Sequence, residues 1–302
     1  MSFKTLTIDS PAELHVHKGQ LTALQDGVTT QVALDDLACV VFSHPDITIS
    51  SAALAYLGQS GITILTCGHN YMPATITLPF ASHSLYSGIV AKQLSASLGF
   101  RNSLWKTIVK RKILNQAKTL ELLGVDGSAL TQLAGEVRSG DPTNREALAA
   151  RLYFSLLSPG YTRDSICPLS SALNYGYAVV RSTLARHVVS HGFITSVGLH
   201  HCNERNEFNL VDDLIEPFRP LVDLHVMGID LTGENPASLS LPVRKQITGV
   251  LRRSCEIAGN ETSLLIAAER CVESLGRALE VGDVKEIRLP TIVEASASEG
   301  DD

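Results

Sequence analysis

The spacing of apolar and polar residues changes once along this chain of 302 residues, at about residue 80. Before that point, apolar and polar residues alternate in short runs separated by Asp, Gly, Pro and Asn, a pattern typical of β-strands. One stretch, residues 50–57, has helical spacing, and Ser50 or Ser51 is suited to cap it. From Ile89 onward, apolar residues recur every three or four positions, which predicts helices. The predicted strands cover residues 6–8, 14–17, 29–34, 38–42, 62–67 and 74–78.

This pattern predicts an α+β fold, with a small β-rich N-terminal domain that holds one helix and a larger all-α catalytic domain. We place the first domain at residues 1–80, a linker at 81–88 and the helical domain at 89–290. The residues after Pro290 are small and acidic, which predicts a disordered acidic tail over 291–302. The predicted helices cover residues 90–97, 104–123, a segment that starts near 141, 170–191, the stretch from 209, and two segments between 241 and 279.

Composition narrows the class of protein. With 44% hydrophobic residues the chain can bury a large core, but it contains no apolar run long enough to cross a bilayer. The N-terminus lacks the charged start and apolar core of a signal peptide, so we expect a cytoplasmic protein without a membrane partner. Six scattered cysteines without a C-x-x-C pair argue against a zinc ribbon and a disulfide framework.

The net charge of −6 conceals a basic strip. Residues 101–118 contain six Lys and Arg residues and no acidic residue. An amphipathic helix with a basic polar face can bind a phosphate backbone, and an ordinary solvated helix face explains the same pattern equally well. The six residues are Arg101, Lys106, Lys110, Arg111, Lys112 and Lys118.

A pair of histidines precedes an acidic helical stretch. His200 and His201 follow a glycine-containing loop, and Asp212, Asp213 and Glu216 share one side of the next predicted helix. Carboxylates held this close repel one another, and a divalent cation would convert that repulsion into attraction. The alternative is an acidic, solvated helix face beside a structural histidine.

A further carboxylate lies in the middle of the chain. Asp141 is suited to cap a helix whose first residue is Pro142, and Glu146 follows in its first turn. The spacing Thr143-x-x-Glu146 also matches a capping box, which would give the glutamate a purely structural role. Three alanines just after Glu146 allow another backbone to approach it, which suits a site assembled between helices.

Taken together, these motifs resemble those of a known family. In order they are E-x-x-A-A-x-x-Y-F from Glu146, then L-N-Y-G-Y-A, G-L-H-H, and D-L-I-E-P-F-R-P ending at Pro220. This order resembles the CRISPR-associated spacer integrase, the universal endonuclease of the adaptation complex, and is most similar to integrases of type II systems. The resemblance covers nearly the whole chain, from Leu34 to Pro290.

The resemblance implies a metal-dependent DNA endonuclease and integrase. Its metal-binding and catalytic residues would be Glu146, His201 and Glu216, with Asp213 as a possible assisting acid, and the ion would be Mg²⁺ or Mn²⁺. A 3′-hydroxyl of captured DNA would attack a phosphodiester at the CRISPR repeat. His200 is expected to be structural.

The resemblance also implies partners: double-stranded DNA as spacer precursor and as CRISPR repeat, a homodimer formed through the β-rich domains, and the small second adaptation protein. Arg219 serves equally well as a counter-ion of the acidic helix. Two other hypotheses remain, a noncatalytic DNA-binding scaffold with a structural metal ion and a metal hydrolase of a small substrate. Candidate DNA-contacting residues are Lys106, Lys110, Arg111, Lys112, Arg151, Arg205 and Arg219.

Overall fold

Two four-stranded sheets form the N-terminal part of the computed structural model, which describes residues 4–25, 27–80, 83–161 and 165–293. The first sheet has the order β1-β5-β7-β8, with β8 antiparallel to its neighbour and the other pairs parallel. The second has the order β4-β3-β2-β6. The strands are β1 (Lys4–Ile8), β2 (Ala12–His17), β3 (Gln20–Gln25), β4 (Val28–Ala33), β5 (Leu37–Phe42), β6 (Ile47–Ile49), β7 (Thr63–Cys67) and β8 (Pro73–Thr77), with helix α1 (Ser51–Gln59) between β6 and β7.

Strand β5 is buried along its whole length, because both faces of the first sheet are covered. Cys39 and Val41 belong to the core shared with the helices, whereas Val40 and Phe42 belong to a separate core between the two sheets. This alternation follows from the period of two along a strand. The first sheet is therefore the middle layer of the molecule.

The remaining described chain is mainly helical. Helix α3 is the longest, and its buried residues Trp105, Ile108 and Val109 lie in the large core. Ser97 caps it, since the Ser97 hydroxyl accepts a hydrogen bond from the Phe100 N–H at 3.2 Å. The elements are α2 (Tyr86–Ser95), α3 (Leu98–Leu122), α4 (Ser128–Glu136), α5 (Arg145–Leu157), α6 (Pro168–Ser190), α7 (Asn209–Ile215), α8 (Arg219–Val226), α9 (Leu241–Thr248), β9 (Ser254–Ile257), β10 (Asn260–Ser263) and α10 (Leu264–Val281).

Two polar contacts, one of them fully buried, join the helices to the strand-containing part. Arg244 of α9 donates through Nη1 to the Ser43 carbonyl at 2.6 Å, and its guanidinium lies 4.5 Å from the centre of the Tyr71 ring. Arg186 of α6 donates to the carbonyl of Gly61. Because such buried donors need their acceptors, the two parts are joined by polar bonds as well as by a shared core.

Helix α6 passes close to α8 at Gly176. A Cβ added there would lie less than 3.0 Å from Cγ1 of Val222. Only glycine allows the two helices to approach this closely, and α8 carries part of the site described below.

The predicted α+β fold is confirmed, with a β-rich N-terminal part followed by a helical part. Sequence patterns did not predict β3, β6, α4 or the β9–β10 hairpin, which interrupts the part expected to be all-helical. Helix α2 begins at Tyr86, within the predicted linker, whose residues 81 and 82 lie outside the described part. No described helix is long and apolar enough to cross a membrane.

Residues 291 and 292 fall in the predicted tail but are packed against the rest of the protein. The main chain of Thr291 exchanges hydrogen bonds of 2.8 and 2.9 Å with Glu256 of β9, and Ile292 is buried. These two residues therefore belong to the packed molecule, because they complete the edge of the hairpin. The rest of the predicted tail, residues 294–302, lies outside the described residues.

Candidate active site

The helix that carries Glu146 is capped by Asp141, an aspartate that precedes its first residue. Both carboxylate oxygens of Asp141 accept backbone hydrogen bonds at 2.9 Å, one from Arg145 and one from Glu146. The helix starts at Arg145 rather than at Pro142, and its N-cap residue Asn144 makes no side-chain cap bond, so the predicted capping box is absent. Since Asp141 satisfies the helix start, the Glu146 carboxylate is available for other contacts.

That carboxylate meets a second one at a buried lysine. Nζ of Lys112, on α3, contacts both Oε1 of Glu146 and Oε2 of Glu216, which lies in a short 3-10 helix (Glu216–Phe218) between α7 and α8. Arg219 donates through Nε to Oε1 of Glu216 at 2.8 Å. Carboxylates from two separate segments thus converge on one ammonium group of a third segment.

The electrostatics of this cluster favour the charged forms. Burial would raise the pKa of Glu216, but the charges of Lys112 and Arg219 lower it to about 2. Burial likewise would lower the pKa of Lys112, and the charges of Glu216 and Glu146 reverse this and raise it. A buried ion pair persists only when its partners replace the lost water, and here they do.

A second buried acid, Asp223, is linked to this cluster through Tyr177 and Arg219. Asp223 of α8 accepts hydrogen bonds from the hydroxyls of Tyr153, at 3.0 Å, and Tyr177. The Tyr177 ring lies 4.7 Å from the guanidinium of Arg219. Burial raises the pKa of Asp223 to about 6, although the tyrosine hydrogen bonds and the charges of Arg219 and Lys112 oppose the rise.

The histidine loop is folded around Asp213. This fully buried carboxylate accepts the backbone N–H groups of Leu199, His200 and His201, the latter two at 3.0 and 3.1 Å. A Cβ on Gly198 would lie less than 3.0 Å from both the His201 carbonyl and the Asp213 carboxylate. The loop therefore requires glycine at its start and an aspartate beneath it.

Asp213 also orients the His201 ring. Nδ1 of His201 lies 2.7 Å from Oδ1 of Asp213, and since a carboxylate can only accept, Nδ1 is the donor and Nε2 is left as the acceptor. The hydrogen bond to Asp213 raises the pKa of His201; burial opposes this, and the charges of Asp213 and Glu216 add to it. His200 stacks on Trp105, with ring centres 4.3 Å apart, and Trp105 meets His201 edge-on at 5.5 Å.

The three acids of this stretch do not form one repelling face, which corrects the sequence interpretation. Asp212 binds Arg181 with contacts of 2.6 and 2.9 Å, Asp213 holds the histidine loop, and Glu216 binds Lys112 and Arg219. Adjacent helical residues point about 100° apart, and the 3-10 turn at Glu216 rotates it further. Asp213 thus supports His201, with its oxygens already accepting hydrogen bonds.

The donor types of the site suit a divalent cation. Carboxylate oxygens and an imidazole nitrogen bind Mn²⁺ and Mg²⁺, and two carboxylates already surround a single positive charge. Within residues 4–25, 27–80, 83–161 and 165–293, however, no three His, Cys, Asp or Glu side chains are close enough to hold a metal ion. The ammonium of Lys112 lies between Glu146 and Glu216, while His201 is within electrostatic reach of Glu216.

The predicted DNA-contacting residues separate into three groups. Lys106, Lys110, Arg151 and Arg205 are exposed. Arg111 is half-buried, and burial lowers its pKa while the charge of Glu256 opposes this. Lys112 and Arg219 do not contribute to a surface strip, because both are ion-paired inside the site; Arg219 is the counter-ion that the alternative interpretation named.

Arg101 was in the basic run but was not among the predicted site residues. It lines an open cleft of about 330 Å³ together with His201, Asn203, Asn206 and Asn209. Its Nε is buried, and no hydrogen-bond partner for it lies in the described part of the chain. A positively charged donor group beside the histidine loop is suited to bind an anionic ligand. In the sequence, the sign of such a role was a basic residue just before a predicted helix.

Comparisons with known proteins show the family and the fold. The family model for CRISPR associated protein Cas1 matches residues 6–233. The CRISPR-associated endonuclease Cas1 of Neisseria meningitidis serogroup C (strain 8013) is 36% identical over 296 residues, which is 97% of each chain. Among solved structures, a casposase bound to its integration product aligns with a TM-score of 0.77 at 18% identity, covering 100% of this chain and 96% of that one. A Cas6-RT-Cas1–Cas2 complex aligns with a TM-score of 0.74 at 18% identity, covering 97% of this chain and 36% of that one.

Proposed function

The chain belongs to the family of CRISPR-associated Cas1 proteins, and from that premise we propose that it is a metal-dependent DNA integrase and endonuclease that inserts spacer DNA into a CRISPR array. In this reaction the 3′-oxygen of the incoming strand forms a bond to phosphorus at the repeat boundary. The phosphorus–oxygen bond of the repeat strand breaks, and its oxygen leaves as a new 3′-hydroxyl. No nucleotide cofactor is consumed.

One observation carries this proposal. Glu146 and Glu216, seventy positions apart, meet at one buried cation, within electrostatic reach of a histidine whose Nδ1 is held by an aspartate. A carboxylate that binds Nδ1 of an imidazole is the usual support of a metal-binding or proton-transferring histidine. A structural surface does not need such an arrangement.

We assign the metal to Glu146, His201 and Glu216. A bound Mg²⁺ or Mn²⁺ would supply Lewis-acid stabilisation of the charge that develops on the phosphate. Asp213 keeps His201 in the tautomer that can donate its Nε2 lone pair, and Arg219 fixes the orientation of Glu216.

DNA would bind through phosphate contacts around the cleft at His201. Arg101 lines that cleft, and Lys106, Lys110, Arg151 and Arg205 are exposed. Such contacts position a duplex without reading its bases. The aligned casposase is bound to an integration product, and the aligned complex contains Cas2; by analogy we assign double-stranded DNA and a small Cas2-like protein as partners.

We further propose that residues 1–80 form the homodimer contact and residues 89–290 the catalytic domain. Two such dimers, one on each side of the small partner protein, would then provide the two catalytic centres that insertion at both ends of a spacer requires. The cytoplasm, where the array lies, is the expected location.

The test is a joining assay with 3′-hydroxyl duplex DNA, a supercoiled plasmid that carries the repeat, the Cas2-like partner, and Mn²⁺ or Mg²⁺. Glu146→Gln and His201→Ala should each lower the joining rate by roughly 100-fold or more, because each removes a group that the reaction centre needs. Glu273→Gln, an exposed carboxylate of α10, is the matched control and should join DNA normally.

Chelation of the metal should abolish joining, and added Mn²⁺ should restore it. If Glu146→Gln and His201→Ala join DNA at the wild-type rate, the site is misassigned. Salt-sensitive DNA binding without joining under either metal would instead identify a noncatalytic scaffold.

A further inference from the structure

We propose that Lys112 is a built-in counter-ion that occupies the position between Glu146 and Glu216 in the metal-free protein, and that its ammonium must leave these carboxylates when a divalent cation binds. This inference rests on the proposed metal site. It concerns a residue that sequence analysis placed on a DNA-binding surface.

The contacts of Lys112 support this role. The residue is 4% exposed, and its Nζ touches one oxygen of each glutamate. A lysine is rarely buried unless it is paired, and here both partners are the carboxylates assigned to the metal. The four-carbon side chain rotates freely enough for the ammonium to move by several ångströms while its backbone remains in α3.

The charges of the cluster are balanced without a metal. Lys112 and Arg219 contribute two positive charges, and Glu146 and Glu216 contribute two negative charges. Asp223, behind Arg219, is shared between two tyrosine hydroxyls. A divalent cation added to these groups would leave an excess of positive charge, even with Asp223 ionised, in a site largely shielded from water, which is unfavourable.

Two consequences follow. Removing the charge of Lys112 should strengthen binding of the metal alone, because the carboxylates lose their competing partner. In the wild type, a DNA phosphate would give the displaced ammonium a new partner, so DNA should strengthen metal binding. By linkage, metal should strengthen DNA binding by the same factor.

The test measures Mn²⁺ binding, by calorimetry or by the electron paramagnetic resonance signal of free Mn²⁺, to the full-length protein. The variants are Lys112→Met, which keeps length and removes charge, Lys112→Arg, which keeps charge, and Lys92→Met, an exposed lysine of α2 outside the site. We expect Lys112→Met to bind Mn²⁺ at least roughly tenfold more tightly than wild type. Lys92→Met should bind like wild type and Lys112→Arg no more tightly.

Equal or weaker Mn²⁺ binding by Lys112→Met would overturn the proposal, as would tighter binding by Lys112→Arg. Lys112→Met could lose its fold because two carboxylates are left facing each other. In that case circular dichroism is measured with and without Mn²⁺. Recovery of the fold on addition of Mn²⁺ supports the counter-ion role, and no recovery contradicts it. These readouts do not depend on DNA joining. Absence of joining in the wild type, with tight Mn²⁺ binding by Lys112→Met, would refute the proposed function and leave the role of Lys112 intact.

A second measurement adds a short duplex that contains a 3′-hydroxyl. The duplex should strengthen Mn²⁺ binding to the wild type by a larger factor than it strengthens binding to Lys112→Met. An equal factor in both proteins would show that Lys112 does not pass from the carboxylates to a phosphate, which would overturn that part of the proposal.

Discussion

Replacing Asp223 with asparagine should change how the stability of the protein depends on pH. Asp223 is 1% exposed, and burial raises its pKa from 3.8 to about 6. Between these two values the folded protein binds more protons than the unfolded chain, so the contribution of Asp223 to stability falls as pH rises from about 4 to about 6. Below pH 4 that contribution is fully present, and above pH 6 it is lost.

The size of the effect follows from the pKa shift. A difference of about two pKa units corresponds to roughly 3 kcal/mol between the protonated and charged forms. Asparagine has the same shape and never carries the charge. The free energy of unfolding of Asp223→Asn, minus that of the wild type, should therefore increase by an amount of this order between pH 4 and pH 7. This increase does not depend on the value of the difference at pH 4.

The assay is urea unfolding at pH 4, 5, 6 and 7, at one ionic strength and one protein concentration, since dimer formation would make stability depend on concentration. Only the difference between wild type and variant is used, so the pH dependence of His201 cancels. Asp35→Asn, an exposed carboxylate, controls for the loss of a charge. A wild-type-minus-variant difference that stays flat from pH 4 to pH 7 would refute the electrostatic account of this pocket.

Three further outcomes are expected. Gly198→Ala should reduce DNA joining at least roughly tenfold without unfolding the protein, because its Cβ would collide with the carbonyl of His201; joining rate and circular dichroism check this. Arg101→Ala should weaken DNA binding and lower the slope of log affinity against log salt by about one, measured by titration at several salt concentrations, while a wild-type slope would contradict a phosphate contact. Gly176→Ala should lower the urea midpoint, because its Cβ would overlap Val222; an unchanged midpoint would mean that α6 and α8 separate at little cost.

Much of the fold could be predicted because local pattern and final environment agree. The continuous apolar run of β5, which is buried on both faces, and the helical spacing of α3 match the environments of these elements. Strand β3 was missed, since its sequence Gln-Leu-Thr-Ala-Leu-Gln has weakly β-prone residues and depends on pairing with β2 and β4. The β9–β10 hairpin was missed for a similar reason, because it is short and polar along β10.

The candidate site shows where sequence reasoning ends. The resemblance to the Cas1 family is confirmed, and it directed attention to Glu146 and Glu216. Sequence spacing placed Lys112 with the other basic residues of α3, but the pattern could not show that this turn of the helix faces Glu216 across the core. Asp213 likewise looked like one more acid, although its partners are backbone N–H groups that only the folded loop presents.

The central position of the first sheet has a mechanical consequence. One of its faces packs against the helical part, where Arg244 of α9 binds the Ser43 carbonyl, and the opposite face is covered by the second sheet. A chain that lacked the second sheet would expose the apolar residues of that face to water, and the protein would be insoluble. If two copies join through their strands, close-packed side chains fix the position of each reactive centre relative to the contact between the copies.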